Sequence, residues 1–266
     1  MKKTAKNLSK FIAIKLSAIG FDLKKILALR HLVRFFKERR SWLRQGGRIT
    51  HNFMVLHDYH DEAGTASGHY FHQDLLVANF IYQAKPRRHV DVASRLDGFV
   101  AHVASFREIE MVDTRPINNF PHENIKFSQY DFTKTSNLGT TDSLSCLHAI
   151  EHFGLGRYGD PIDKNGHIKG LKNLIDLLEE KGRLYLSFPI GQRDEVHFNA
   201  HRVFHPETIL NQQIVQKNLT LLRFDYVDDR GELIKNTLTK DVCKSTSYGC
   251  GIYTFERKKL NTADRG

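Results

Sequence analysis

Cysteine is scarce in this chain of 266 residues. The three cysteines are Cys146, Cys243 and Cys250, and no two of them stand in a C-x-x-C spacing. Their small, odd number argues against a disulfide framework, and their spacing argues against a cysteine-based zinc module. Unpaired cysteines are typical of a reducing compartment, so we expect a cytoplasmic protein.

Long apolar runs are missing as well. The apolar stretch over residues 11–21 is interrupted by Lys15 and is too short to span a bilayer. No small-x-small cleavage site follows it, so no signal peptide is predicted. The sequence also lacks internal repeats and low-complexity linkers, which excludes repeat architectures.

Positive charge, by contrast, is abundant and unevenly placed. The net charge is +10, but residues 1–48 hold 14 Lys and Arg against two acidic residues, and the other 218 residues hold 26 basic against 28 acidic residues. Apolar residues recur at helical spacing in the same segment: Leu8, Ile12, Leu16, Ile19, Leu23, Ile26 and Val33. We therefore predict a basic amphipathic helical extension over residues 1–48 and one domain over residues 49–266.

The extension has three interpretations. Its apolar face can pack on the main domain, it can lie on an anionic membrane surface at the inner face of the membrane, or it can contact nucleic acid. No aromatic platform or nucleic-acid motif accompanies the basic residues, so no nucleic-acid partner is predicted. The first two interpretations stay open.

From about residue 70 the sequence alternates between strand-like and helix-like segments. The predicted strands are 89–93, 108–112, 125–130, 143–147, 183–188, 219–227 and 251–257. The predicted helices are 74–84, 98–106, 168–180 and 206–216. This alternation predicts an α/β fold with a doubly wound, mostly parallel, Rossmann-like sheet.

Acidic residues follow the first three predicted strands. Asp91 begins the turn after the first strand, Asp113 ends the second, and Asp131 follows the third. In nucleotide-binding α/β folds the first turn passes close to the ligand, and a carboxylate about twenty residues later binds ribose hydroxyls. Asp113 has the position for that task, although it is also typical of an ordinary turn.

The loop after the fourth predicted strand combines histidines, charged side chains and glycines in a short stretch. Residues 148–163, HAIEHFGLGRYGDPID, contain two histidines and three glycines. Glycines beside charged groups let the backbone approach a ligand closely. The candidate catalytic residues are His148, Glu151 and His152; the alternative is a capped turn in which they only satisfy backbone groups.

Several segments together resemble a known family: HVDVASRLDGFVAHV, VDTRPI, LSCLHAIEHFGLGRYGDPID, SFPIG and FNAHRVF. They look like an uncharacterised, methyltransferase-like bacterial family, often found near surface-polysaccharide synthesis genes, that has the class I S-adenosylmethionine-dependent methyltransferase fold. The likeness covers roughly residues 68–210 and leaves out the basic extension.

The resemblance implies S-adenosylmethionine as the cofactor and assigns roles to individual residues. The cofactor-binding residues would be Asp91, Ala93, Ser94, Asp97 and Gly98 around the methionyl part, Asp113 at the ribose, and Asp131 and Phe132 at the adenine. His148, Glu151 and His152 would face the methyl group and the acceptor, with His152 as general base. The sequence departs from the family pattern D-x-G-x-G-x-G, because Ala93, Arg95 and Asp97 stand at the glycine positions.

Candidate substrate-binding residues lie in two loops: Arg157, Tyr158, Asn199, His201 and Arg202. Arg202 can hold an anionic acceptor through paired hydrogen bonds. His197, His201 and His205 have a four-residue spacing that can bind zinc on a helix. No H-E-x-x-H motif accompanies them and intervening aromatic residues oppose a helix, so no metal is predicted.

Two classes of function stay open at this level. The first is an S-adenosylmethionine-dependent methyltransferase that acts on a saccharide or sugar-linked precursor in surface-polysaccharide synthesis. The second is a non-catalytic relative that assembles with glycosyltransferases, which the glycine-poor turn would explain. An enzyme that binds a nucleotide sugar in the same crevice is a further alternative, because its ribose would need the same carboxylate.

Overall fold

The structure is a computed structural model that describes residues 23–60, 63–117, 121–132, 134 and 138–259. The chain divides between Thr65 and Ala66 into two compact units, and each is described by itself. The start of the predicted amphipathic extension lies outside the described residues, including Leu8, Ile12, Leu16 and Ile19.

The first unit contains two helices, α1 (Leu23–Ala28) and α2 (Leu32–Arg44). On α2, Arg34 forms an exposed ion pair with Glu38 one turn later, at 2.7 Å, a spacing that supports a solvated helix. Both helices fall within the predicted extension, whose boundary at residue 48 stays a prediction. No helix in the described ranges has the length and apolar content that a membrane crossing requires.

The second unit is built on one large sheet and a small hairpin. The strands of the sheet are β1 (His89–Val92), β2 (Ile109–Asp113), β3 (Ile125–Gln129), β4 (Thr141–Leu147), β5 (Leu178–Ile190), β8 (Leu219–Val227), β9 (Leu233–Ile234) and β10 (Gly249–Arg257). The hairpin consists of β6 (Glu195–His197) and β7 (His201–Val203). The order in the sheet is β3-β2-β1-β4-β5-β10-β8-β9. β1 to β5 pair in parallel, and β10 pairs antiparallel with both β5 and β8. The predicted mostly parallel sheet is confirmed.

Helices cover both faces of this sheet. They are α3 (His69–Ala84), α4 (Ala101–Ala104), α5 (Gly166–Leu177), α6 (Gln213–Asn218) and α7 (Thr239–Val242). Ile81 of α3 and Val103 of α4 belong to one core cluster. Leu174 of α5 and Val215 of α6 belong to the other. The sheet is therefore doubly wound, with an apolar layer on each side.

The strands serve both layers because successive side chains point to opposite faces. On β5, Leu184 and Leu186 join the cluster of α5, whereas Tyr185 between them joins the cluster of α3. All three are fully buried. A strand covered on both faces reads as a continuous apolar run, and this is why its position could be predicted.

Several predicted helix ends differ from the observed ones by three residues or more. The helix predicted over residues 74–84 already begins at His69. The helix predicted to end at residue 180 stops at Leu177, because Leu178 already begins β5 and pairs with Thr141. The helix predicted from residue 206 begins only at Gln213. The Pro206 carbonyl, which a helix would use internally, accepts a hydrogen bond from the buried Tyr253 hydroxyl at 2.8 Å.

Candidate functional site

The carboxyl ends of β1, β2 and β4 meet at one edge of the sheet and open into a cleft, which we call the strand-end cleft. Seven residues predicted as site residues line it: Ala93, Asp113, Asp131, Phe132, His148, His152 and Tyr158. Parallel strands bring these residues together because their carboxyl ends share an edge.

The turn after β1 is held together by a buried carboxyl group. Asp91 accepts hydrogen bonds from the Ser94 backbone N–H at 3.0 Å, from the Ser94 hydroxyl at 2.6 Å and from the Ser145 hydroxyl at 2.6 Å. Burial raises the pKa of Asp91 to about 7, although these hydrogen bonds act in the opposite direction. Asp91 and Ser94 therefore stabilise the turn through buried hydrogen bonds, and neither residue lines the strand-end cleft.

Ala93 is the residue of this turn that reaches the cleft. Its φ is +59°, in the left-handed region that favours glycine. The turn thus keeps the backbone conformation of a glycine-containing turn and adds one methyl group.

Asp97 and Gly98 lie away from the strand-end cleft. Asp97 is exposed and accepts hydrogen bonds from the Arg95 guanidinium at 2.8 and 3.1 Å. A side chain at Gly98 would meet a carboxylate oxygen of Asp74 at 2.6 Å. Asp97 lines an adjoining pocket together with Asp113 and Arg115, so the cofactor-binding role of Asp97, like that of Gly98, stays a prediction.

Asp113 lies at the end of β2 with its carboxylate at the cleft. Arg115 occupies both of its oxygens, since Nε donates to Oδ1 at 2.9 Å and Nη2 donates to Oδ2 at 2.5 Å. The same guanidinium lies 4.6 Å from the ring centre of Tyr158. Oδ2 accepts from this one donor only, so it can still accept a hydrogen bond from a ribose hydroxyl.

The floor and the far wall of the strand-end cleft are apolar and aromatic. Val112, Tyr130, Phe132 and Phe153 contribute to them, and Phe132 belongs to the core beneath. Asp131 borders this wall and pairs with Lys134 at 3.4 Å. A flat heteroaromatic ring can pack here with a carboxylate at its edge.

The loop after β4 places His148 and Glu151 in one hydrogen-bonded pair. His148 Nδ1 lies 2.9 Å from Glu151 Oε1, and the two side chains are 6% and 1% exposed. Neither His148 Nε2 nor Glu151 Oε2 has a hydrogen-bond partner among the described residues. Burial opposes protonation of His148, but Cys250 and Glu151 outweigh it and raise its pKa above 6.5.

His152 has a defined tautomer. Its Nδ1 lies 2.7 Å from the Ala200 carbonyl oxygen, and a carbonyl only accepts, so Nδ1 carries the proton. Nε2 is then the basic nitrogen and lies 3.7 Å from Glu151 Oε1. Burial lowers the pKa of His152, which keeps the ring neutral near pH 7.

A second cleft, which we call the side cleft, adjoins the first. Its walls are His69, Tyr70, Ala93, Arg95, Arg115, His148, Glu151, His152, Arg157, Tyr158, Pro189, His201 and Tyr248. It shares Ala93, Arg115, His148, His152 and Tyr158 with the strand-end cleft. The two histidines thus stand where a ligand in one cleft would meet a ligand in the other.

The loop after β5 contributes less than predicted. His197, His201 and His205 do not share a helix, because His197 and His201 lie opposite each other in the β6–β7 hairpin. His201 Nε2 lies 3.2 Å from the Tyr248 hydroxyl. Only His201 of this loop lines the side cleft, whereas Asn199 lies outside both clefts.

Arg202 has a different environment from the predicted one. It is 5% exposed, and its guanidinium donates to the backbone carbonyls of Glu151 at 3.2 Å, Phe153 at 2.7 Å and Lys164 at 3.5 Å. The guanidinium N–H groups that we predicted to bind an anionic acceptor therefore donate to backbone carbonyls, and Arg202 stabilises the loop after β4.

Six of the thirteen residues that line the side cleft were not predicted as site residues, Pro189 at the end of β5 among them. His69 and Tyr70 begin α3, Arg95 and Arg115 follow β1 and β2, and Tyr248 precedes β10. Their positions in the sequence form no motif with residues of the loop after β4, so their proximity to that loop could not be predicted. The strand-end positions of Arg95 and Arg115 were the one available signal.

Comparison with known proteins identifies the fold. A family described as "Caenorhabditis protein of unknown function, DUF268" matches residues 99–212, which include the loop after β4 and Arg202. No curated protein matches the chain. The family description names no activity, so the bacterial assignment and the link to polysaccharide synthesis stay predictions.

Among solved structures, the methyltransferase domain of bacterial CtHen1-C is similar with a TM-score of 0.50 and 12% identity, over 70% of this chain and 97% of that chain. NodS, an N-methyltransferase from Bradyrhizobium japonicum WM9 in complex with S-adenosylhomocysteine, has a TM-score of 0.49 and 11% identity, over 72% and 89% of the two chains. A Burkholderia thailandensis 1,6-didemethyltoxoflavin-N1-methyltransferase has a TM-score of 0.49 and 12% identity, over 88% of each chain. At 12% identity the first of these establishes the fold, that of class I methyltransferases, and nothing beyond it.

Proposed function

We propose that the protein is an S-adenosylmethionine-dependent methyltransferase that methylates a small-molecule acceptor bound in the side cleft. One observation carries the proposal: the strand-end cleft of a class I methyltransferase fold and a second cleft meet at His148 and His152. A donor in one cleft and an acceptor in the other would face each other across these two histidines, and such alignment is most of what methyl transfer requires.

The residues of the strand-end cleft fit the cofactor. The left-handed turn at Ala93 allows close approach of the methionyl part, the aromatic wall suits the adenine, and Asp113 is placed for the ribose hydroxyls. Arg115 holds the Asp113 carboxylate in place, and Oδ2 retains room to accept a ribose hydroxyl. The bound cofactor supplies an activated methyl group on a sulfonium.

His152 is the general base in this proposal. The Ala200 carbonyl holds the proton on Nδ1, so Nε2 can accept the proton of an acceptor hydroxyl in the side cleft. The imidazolium that forms lies 3.7 Å from a Glu151 carboxylate oxygen, which stabilises the positive charge. Glu151 thus positions and supports the base without contacting the acceptor hydroxyl.

A saccharide or sugar-linked precursor is the acceptor that we propose. Aromatic rings of Tyr70, Tyr158 and Tyr248 alternate with arginines and histidines around the side cleft. Such a surface offers flat apolar faces and many hydrogen-bond donors, which suits hydroxylated rings. The resemblance to a family found near surface-polysaccharide synthesis genes supports the same class of acceptor.

Calorimetric titration with S-adenosylmethionine and S-adenosylhomocysteine tests the cofactor site. We expect both ligands to bind the wild-type chain, and Asp113→Asn to weaken binding by about tenfold or more, because the amide replaces a charged acceptor of the ribose hydroxyls. Asp176→Asn is the matched control and leaves both affinities unchanged, since Asp176 is an exposed residue of α5 that lines neither cleft. Absence of binding to the wild-type chain contradicts the proposal.

A nucleotide-sugar enzyme is the second candidate, and one observation favours it. Arg95, Arg115 and Arg157 line the side cleft beside Asp113, and guanidinium groups are suited to a diphosphate next to a ribose. In the same titration, binding of UDP-glucose together with no binding of S-adenosylmethionine favours this candidate over methyl transfer.

We also propose that the basic extension attaches the protein to the cytoplasmic face of an anionic membrane. Supporting observations are the excess of positive charge in residues 1–48 and the exposed Val33, Phe36 and Trp42 on α2. The chain should sediment with phosphatidylserine vesicles, and Arg39→Glu with Arg40→Glu should reduce the bound fraction several-fold. Arg193→Glu, an exposed charge reversal in the second unit, is the control. Equal sedimentation with phosphatidylcholine vesicles would argue against an electrostatic membrane contact.

A further inference from the structure

Three side chains that commonly bind metals converge behind the side cleft. His69 begins α3, His148 follows β4, and Cys250 lies on β10. One donor atom from each, a ring nitrogen or the sulfur, lies within 4.8 Å of the other two. The sheet brings them together, because β10 pairs with β5 and β5 pairs with β4.

His148 gives an independent sign that this cluster can bind a ligand. Its side chain is 6% exposed, and its Nδ1 is engaged by Glu151 at 2.9 Å. Its Nε2 is buried and makes no hydrogen bond of acceptable geometry among the described residues, and the side chain beside it is Cys250, which belongs to the same cluster. A buried, unpaired polar atom is costly unless something binds it. A carboxylate on one ring nitrogen is also the arrangement that orients the other nitrogen of a histidine toward a metal ion.

Cys250 is able to serve as a thiolate ligand. It is a free, fully buried cysteine, and its sulfur donates to the side-chain oxygen of Gln73 at 3.6 Å. That oxygen also accepts a hydrogen bond from the Ser187 hydroxyl at 2.6 Å. Loss of the thiol proton therefore leaves Gln73 hydrogen-bonded, and no other polar group becomes unpaired.

We propose that His69, His148 and Cys250 bind one divalent ion of the zinc class, with the fourth coordination position open to the side cleft. Two imidazole nitrogens and one thiolate suit Zn²⁺, whereas Mg²⁺ and Ca²⁺ prefer oxygen ligands. His69 and His148 line the side cleft, so a fourth ligand would come from there. Three protein ligands and one open position are typical of a catalytic zinc site.

Binding changes the protonation of the ligands in a defined way. The ion replaces the thiol proton of Cys250 and any proton on His148 Nε2, and these protons leave to solvent. Tetrahedral zinc places its donor atoms roughly 3.5 Å apart. The three donor atoms lie within 4.8 Å of one another, so the side chains need to close by at most roughly 1.3 Å. An acceptor hydroxyl bound at the open position would become more acidic, which would help His152 to remove its proton. The ion site stands independently of the proposed methyl transfer, whereas this effect on an acceptor hydroxyl rests on it.

A second cluster of the same residue types provides a control. His205, Glu207 and Cys243 also bring their donor atoms within 4.8 Å of one another. These side chains are half-buried, and His205 Nδ1 already accepts a hydrogen bond from the Glu207 backbone N–H at 3.3 Å. No side-chain atom of His205, Glu207 or Cys243 is both buried and without a hydrogen-bond partner, in contrast to His148 Nε2.

Cobalt substitution tests the proposal on the full chain. Chelator-stripped protein titrated with Co²⁺ alone should bind one ion with the visible absorption of tetrahedral cobalt and a thiolate-to-cobalt band in the near ultraviolet. Zn²⁺ should abolish both signals, and Mg²⁺ should not. Cys250→Ser should remove the thiolate band, whereas Cys243→Ser should keep it.

His69→Gln provides a second test that does not alter the core, because His69 is only half-buried. It should weaken cobalt binding by at least tenfold with an unchanged circular dichroism spectrum. Failure to bind Co²⁺, loss of the thiolate band in Cys243→Ser in place of Cys250→Ser, or unchanged affinity in His69→Gln would each overturn the proposal.

Discussion

We expect His152→Ala to lower kcat for methyl transfer by about 10²- to 10⁴-fold, the usual contribution of a positioned general base. The affinity for S-adenosylhomocysteine should stay within about twofold, because the ring lies at the junction of the clefts and not at the ribose or adenine positions. The measurement is S-adenosylhomocysteine release with an acceptor selected from a panel of saccharides and sugar phosphates.

His201→Ala is the matched control for this prediction. His201 lines the same cleft, but its Nε2 is engaged with the Tyr248 hydroxyl at 3.2 Å. Its loss should raise KM for the acceptor and change kcat by less than about tenfold. Equal losses of kcat in the two variants would show that neither ring is the base.

The pH profile gives a second criterion for the same residue. The base must be neutral, and burial holds the pKa of His152 below 6.5. The wild-type kcat/KM should therefore stay level as the pH falls to 6.5 and decline only at lower pH, as the imidazole becomes protonated. The residual activity of His152→Ala should lack this decline. A wild-type profile that already declines above pH 7 would assign the base to another group.

The fold and the strand-end cleft were accessible from sequence for a physical reason. Parallel strands buried on both faces read as apolar runs, and their carboxyl ends necessarily share one edge. Asp113, His148 and His152 follow such strands, so their proximity could be expected. Ala93 departs from the glycine pattern in residue type but keeps the left-handed backbone.

Long-range packing decided the parts that the sequence did not indicate. β10 inserts antiparallel between β5 and β8 and carries Cys250 to the side of His148. Arg202 looks like an anion-binding residue in sequence, but the fold surrounds it with backbone carbonyls. Arg115 reaches Asp113 because both flank the same turn, and only the structure shows that they close on each other.

Gly154→Ala should destabilise the protein by about 3 to 4 kcal/mol, in the upper range for single substitutions. Gly154 has a φ of +76°, and a side chain there would meet the Asp163 carbonyl oxygen at 2.0 Å. The clashing atom belongs to the backbone and cannot rotate away as a side chain could. The Asp163 N–H also donates a hydrogen bond to the Gly154 carbonyl at 2.9 Å, which holds the two segments together. Urea unfolding with extrapolation to water measures the change.

Gly159→Ala separates the backbone strain of a left-handed alanine from the steric clash with the Asp163 carbonyl oxygen. Gly159 lies in the same loop with a φ of +81°, but no atom lies within 4 Å of an added side chain. It should cost only the strain of a left-handed alanine, about 1–2 kcal/mol. The difference between the two variants in the free energy of unfolding then measures the cost of the clash where the backbone at Gly154 passes close to Asp163.

Because His152 precedes that close approach by two residues, Gly154→Ala should also lower turnover, whereas Gly159→Ala should not. Equal costs would mean that the loop relaxes around Asp163 and that the close approach does not hold His152 in place.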